Sequence, residues 1–158
     1  MSTPSPSKQQ VEFDSDQLDV RLHLRFAADI EKVAEMVEAI MKVVRTMQCA
    51  CGEEPAIELS LHEALANAIR HGAGNDPSKN IEVKVACDVD HGMLIVVADP
   101  GQGFDPREIA DPLQAENVFS DHGRGIFLIN RLMDQVEFKR GGAEIHMRKF
   151  NKPNDCAK

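Results

Sequence analysis

The sequence predicts an α+β two-layer sandwich, a mixed, mostly antiparallel sheet with helices on one face. Three patterns carry that expectation. Leu18, Val20, Leu22, Leu24 and Phe26 fall on every second position, the period of a strand with one buried face. Two stretches, Ala28 to Met47 and Pro55 to Arg70, carry apolar residues at helical spacing. Two later pairs of short apolar runs are each joined by a tight glycine-containing turn, as in hairpins.

The elements follow in order. Gln17 to Phe26 reads as a first strand at a sheet edge. In the first helix Ile30, Val33, Ala34, Val37, Ile40, Met41 and Val44 form the apolar stripe, and Asp29 stands at the N-cap. Gly52 and Pro55 break that pattern and open a second helix, whose stripe is Ile57, Leu61, Ala64, Leu65, Ala68 and Ile69. Gly72 suits a left-handed C-cap for it. Ile81 to Val89 and Met93 to Ala98 form a hairpin around Asp90-His91-Gly92. From Asp99 to Gly125 no period holds, and a loop of that length is usually functional. A short helix from Ile126 to Met133 follows, then strands Val136 to Lys139 and Glu144 to Lys149 around Gly141-Gly142.

Composition narrows the function classes. The 158 residues hold 26 Asp plus Glu against 18 Lys plus Arg, a formal net charge of -8. That balance argues against direct nucleic-acid binding, which needs clustered cations to displace counterions. Seven Phe with no Trp and no Tyr leave little for stacking on single-stranded bases. No run approaches the roughly 20 apolar residues of a membrane span. The expected organisation is a disordered tail at 1–16, one folded domain at 17–150 and a frayed tail at 151–158. Cys49, Cys51, Cys87 and Cys156 match neither a zinc spacing nor a secreted disulfide framework, so they read as reduced thiols in a cytoplasmic protein.

Three features carry chemistry. Glu63, Asn67 and His71 are four apart on the second helix and share a face. A carboxylate one turn from a carboxamide is a workable catalytic pair, although an amphipathic helix also shows such residues on its solvated side. His71, beside the helix end, reads as structural and not as a metal ligand. Asp99-Pro100-Gly101-Gln102-Gly103 comes directly off an apolar strand, where ligands commonly bind, and its glycines permit close backbone approach. Gly123-Arg124-Gly125 leads into a helix whose free N–H groups and dipole suit an anion.

In this order and on these elements, the three features resemble a known family. ELSLHEALANAIRHGAG, VVADPGQGFDP and DHGRGIFLINRLMDQVEFKRGGAEIHMRK are similar to the N, G1 and G2 boxes of the GHKL (Bergerat) ATP-binding fold. They resemble most closely the anti-sigma factor serine-protein kinases of the RsbW and SpoIIAB type, from about Leu18 to Lys149. The resemblance implies ATP and Mg2+ as cofactors. It makes Glu63 the general base, Asn67 the magnesium ligand and Asp99 the acceptor for the adenine amino group. Gly101 and Gly103 would shape the adenine pocket, Gly123, Arg124 and Gly125 would border the phosphates, and the segment between Gly103 and Gly123 would be a lid. Ala143 stands where the family usually has threonine. The implied partners are a sigma factor and a STAS-domain antagonist, with Leu18 to Met47 as the partner or homodimer surface.

Other readings carry less. A non-catalytic ATP-binding partner-switch module of the same fold would need no base at Glu63. A histidine kinase would need a phosphoacceptor helical hairpin, and one helix alone precedes the N box. A dinucleotide-binding oxidoreductase would carry its glycine motif in a βαβ crossover, which the order here does not provide.

Overall fold

The computed structural model describes residues 20–88, 92–101 and 121–150. Its elements are β1 (Val20–Ala27), α1 (Val33–Met47), α2 (Glu54–Asn67), β2 (Asn80–Asp88), β3 (Gly92–Ala98), α3 (Asp121–Leu132), β4 (Gln135–Lys139) and β5 (Glu144–Lys149). A short 3-10 turn at Ile30–Lys32 leads into α1, and Asp29 caps it by accepting from the Glu31 N–H at 3.0 Å. The tails expected at 1–16 and 151–158, the turn at 89–91 and the stretch 102–120 lie outside the described residues.

The sheet runs β1-β2-β3-β5-β4, and β1 takes the expected edge. Every strand pair among the described residues is antiparallel, where a mixed sheet was expected. The connection from β3 through α3 does return β4 in the same direction as β3, but β5 inserts between them and pairs with both. The parallel relation therefore exists between strands that are not neighbours.

Strand period fixes which side chains enter the core. Leu22, Leu24 and Phe26 pair with Val85, Val83 and Ile81, and β3 and β5 add Met93, Ile95, Val97, Ile145 and Met147. The apolar stripes of α1 and α2 close over this face, with Ile40, Met41, Ile57, Leu61, Leu65 and Ile69 fully buried. Each such side chain stabilises the fold by about 1.5–3 kcal/mol of transfer free energy. Among the described residues no helix is long and apolar enough to cross a membrane.

Three local expectations are corrected. The second helix keeps α geometry only to Asn67 and then widens into a π turn over Ala68–Gly72, with the Ala73 N–H donating to the Ala68 carbonyl. The third helix begins at Asp121, five residues before the expected Ile126, so Gly123 and Gly125 sit inside it. Finally, Cys49 and Cys87 are not free thiols. They form a disulfide, with Cα atoms 5.7 Å apart, tying the turn after α1 to the end of β2. Sequence spacing could not reveal it, because the pairing is made by the tertiary fold.

One buried cation closes the far end of the molecule. Lys149 is 7% exposed, and its Nζ donates to the Leu132 carbonyl at 2.6 Å, one of the carbonyls a helix end leaves without a partner. Its charge is matched by Glu53 at 3.4 Å and Asp134 at 3.7 Å. Asp134 in turn accepts from the Phe150 N–H at 2.7 Å. This explains the aspartate in the Leu-Met-Asp-x-Val run: it anchors the end of α3 to β5. Lys149→Met should lower the unfolding free energy by about 2–3 kcal/mol, because two carboxylates and a carbonyl lose their partner, as measured by urea titration.

Candidate functional site

The face of α2 that carries Glu63 and Asn67 is partly covered. It packs against α3, whose Gly125 approaches so closely that a β-carbon there would lie 2.8 Å from Glu63 Oε2 and 3.0 Å from Asn67 Nδ2. Both side chains are half-buried, and both converge on the opening turns of a helix. The alternative of an exposed amphipathic face is thereby overturned. The reason is steric: a side chain at position 125 would force the ends of the Glu63 and Asn67 side chains to move. Arg124 beside it is exposed, and His71 is an exposed residue of the π turn.

The N–H groups that open α3, that of Gly123 among them, have no carbonyl one turn earlier within the helix to bond. They present partial positive charge beside the Glu63 carboxylate and the Asn67 amide. Polyphosphate suits such a place. A magnesium ion takes one or two protein oxygens and completes its shell with water and phosphate oxygens. The hard oxygen of Asn67, next to a cradle that only glycine leaves open, fits that donor set. Among the described residues no group of three or more His, Cys, Asp or Glu could hold a metal, so a magnesium ion here would depend on its phosphate ligands.

A second cluster forms where β3 ends. The Asp99 N–H donates to the Ala143 carbonyl at 2.9 Å, and Arg140 Nη2 donates to the Asp99 carbonyl at 3.0 Å. Its Oδ1 accepts from the Gly101 N–H at 2.8 Å. Gly72 lies directly against the carboxylate, and a β-carbon there would overlap the Asp99 carboxyl carbon. At Gly101 a β-carbon would lie 2.5 Å from the Gly72 carbonyl oxygen and 2.9 Å from Asp99 Oδ1. The end of the π turn and the turn after β3 thus close on one acid. Gly72 is not the left-handed cap expected from the sequence; Gly74 and Asn75 take positive φ instead.

The two clusters share α2. From Asn67 to Gly72 is about 8 Å along a helix axis, so one rigid segment spaces the Glu63–Asn67 pair from Asp99. That spacing suits a nucleotide with its base at Asp99 and its phosphates at α3. Sequence reasoning missed Gly72 as a wall of the site and Arg140 as a support of Asp99. A second glycine motif contacting the first leaves no local signal. Gly103 and the lid segment lie outside the described residues, and Gly123 lies in the first turn of α3. Ala143 is buried, and its backbone carbonyl makes its contact to the site.

Burial pushes the Asp99 carboxyl above its usual value, with the Gly101 hydrogen bond and the Arg140 charge opposing the shift. A carboxyl whose folded pKa is raised binds more protons folded than unfolded, so stability falls as pH rises from the ordinary value through the raised one. Asp99→Asn should remove that fall. Its unfolding midpoint, compared with wild type from pH 3 to pH 7, should gain relative to wild type as pH rises; a constant difference would show that the shift does not bear on stability.

Comparison with known proteins agrees with this geometry. Residues 26–149 match the family described as Histidine kinase-like ATPase domain. The chain is similar to "Serine-protein kinase RsbW" of Halalkalibacterium halodurans, 34% identical over 101 residues that cover 60% of this chain and 60% of that protein. It is also similar to "Anti-sigma F factor" of Geobacillus stearothermophilus, 28% identical over 118 residues, 73% of this chain and 80% of the relative. "Serine-protein kinase RsbW" of Bacillus subtilis is 26% identical over 137 residues, 82% of this chain and 84% of that protein. The match thus spans about three fifths of the first relative's length and more of the other two. Since the family match runs from the end of β1 through β5 and takes in both clusters, the chain belongs to the histidine kinase-like ATPase domain family.

Proposed function

We propose that this protein is an ATP-dependent serine/threonine protein kinase that also acts as an anti-sigma factor, sequestering a sigma factor and phosphorylating a STAS-domain antagonist of that capture. The observation that carries the reading is the convergence of Glu63 and Asn67 on the glycine at position 125, which sets a carboxylate and a carboxamide beside a helix N-terminus. The names of the similar proteins, serine-protein kinases and an anti-sigma factor, support the same role. A cytoplasmic place follows from it.

Phosphoryl transfer asks a protein to hold the nucleophile in line and to neutralise charge. Asp99 accepts the adenine amino group and so selects the base, within walls formed by Gly72 and Gly101. The N–H groups at the start of α3, with Arg124, face the phosphates. Asn67 would hold magnesium, which supplies charge neutralisation on the triphosphate. Glu63 takes the proton from the hydroxyl of the incoming serine or threonine as that oxygen attacks the terminal phosphorus, whose bond to the bridging oxygen breaks to release ADP. Edge strand β1 and the exposed side of α1 offer a surface for the sigma factor or a second copy.

Ala143, at a position where the resembling family usually has threonine, favours a second reading, a partner-switch module that binds ATP without transferring phosphate. Glu63→Gln decides between them. Incubated with labelled ATP, magnesium and candidate STAS proteins, wild type should label one of them. The Gln variant should lose that labelling by about 100-fold or more while still binding nucleotide. A wild-type protein that binds ATP and labels no candidate would favour the module; equal labelling by the variant would remove Glu63 from the base role.

A further inference from the structure

The sheet has a second face, which the helices do not cover. Strand alternation turns Glu82, Lys84 and Ala86 of β2, Leu94 and Val96 of β3, and Glu144, His146 and Arg148 of β5 outward. Ala86, Leu94 and Val96 form an apolar cluster of their own, separate from the main core. Above it opens a groove of about 380 Å³, within the range of small-ligand sites. Its rim carries Lys84, Lys139 and the pair His146–Glu144.

We propose that this groove binds a small amphipathic carboxylate, an apolar body ending in one carboxylate group. The charges on the rim decide the sign of the ligand. Glu144 is the carboxylate lining the groove, and it is matched by His146 at 2.5 Å and Arg140 at 3.8 Å. Glu82, nearby on β2, is matched by Arg25 at 2.7 Å and His23 at 3.6 Å. Among the described residues neither Lys84 nor Lys139 enters an ion pair, and both are exposed. Lys84 acts on the Glu82 carboxylate, which Arg25 already holds, so two ammonium groups border the apolar floor against one lining carboxylate that is itself paired.

Position decides the ligand's shape. Lys84 is on β2 and Lys139 ends β4, three strand spacings or about 14 Å apart. The apolar strip lies between them. An aliphatic or aromatic body covers that strip while its carboxylate reaches one lysine, with a charge-assisted hydrogen bond. Phosphates without an apolar body would leave the floor uncovered. The site lies on the side of the sheet away from α2 and α3, and the inference does not rest on the nucleotide reading.

Decanoate, kept below its micelle concentration, is the probe, titrated into the isotopically labelled full chain. Saturable amide shifts are expected at Leu94, Val96 and His146. Lys84→Gln combined with Lys139→Gln should weaken binding about tenfold, with the unfolding midpoint unchanged because both lysines are exposed. Decanol, with the same tail and no charge, should bind wild type about tenfold more weakly than decanoate. Absence of saturable shifts, shifts confined to α2 and α3, or equal decanoate affinity in the double variant would overturn the proposal. So would concentration-dependent self-association that shifts the same amides without decanoate, since a second copy would then be the occupant.

Discussion

Asp99 is held at a point where three separate parts of the chain must meet, and the rest of the site is positioned by that meeting. Its backbone bonds to Ala143 from the last hairpin, its carboxylate rests on Gly72 from the end of α2, and its own turn closes through Gly101. Neither Gly72 nor Gly101 leaves room for a side chain between itself and the acid. Because Gly72 lies at the end of the same rigid segment that carries Glu63 and Asn67, the depth to which that glycine seats on Asp99 sets where the pair stands. Gly125 then sets how near α3 approaches. Close packing without side chains is therefore the device that spaces the site.

Burying a carboxylate has a cost that the surrounding groups only partly offset. Desolvation dominates at Asp99, even with a backbone donor and the Arg140 charge beside it. Groups shaped to receive a ligand commonly show this imbalance, since a ligand donor supplies what the empty pocket lacks. The contrast is Lys149, more deeply withdrawn from solvent, which one carbonyl and two carboxylates satisfy. One charge is completed internally and serves the fold; the other is only partly offset by its neighbours.

Much of this was legible from the residues alone. The alternation through Leu22, Leu24 and Phe26 could only be a half-buried strand, and the spacing of Glu63 and Asn67 placed both on one helix face. What stayed hidden depends on long-range packing. Strand order is an example: nothing in Glu144 to Lys149 says that it inserts between β3 and β4. The Cys49–Cys87 disulfide and the contact of Gly72 with Asp99 are others, each joining residues whose local patterns are complete without it. Gly72 looked like a helix terminator because glycine serves both turns and close contacts, and local sequence does not separate the two uses.

The insertion of β5 also bears on how the protein comes to be. β1, β2 and β3 are neighbours in the sheet and all precede Asp99 in the chain, so that sheet half can assemble while the remainder is still being synthesised. The pocket cannot. Ala143 and β5 reach β3 only after α3 and β4 have been made, and until they do Asp99 lacks its backbone partner and β3 its second neighbour. A nascent chain would therefore expose a strand edge beside an unfinished nucleotide site, and ligand could bind only to a domain that had closed its sheet.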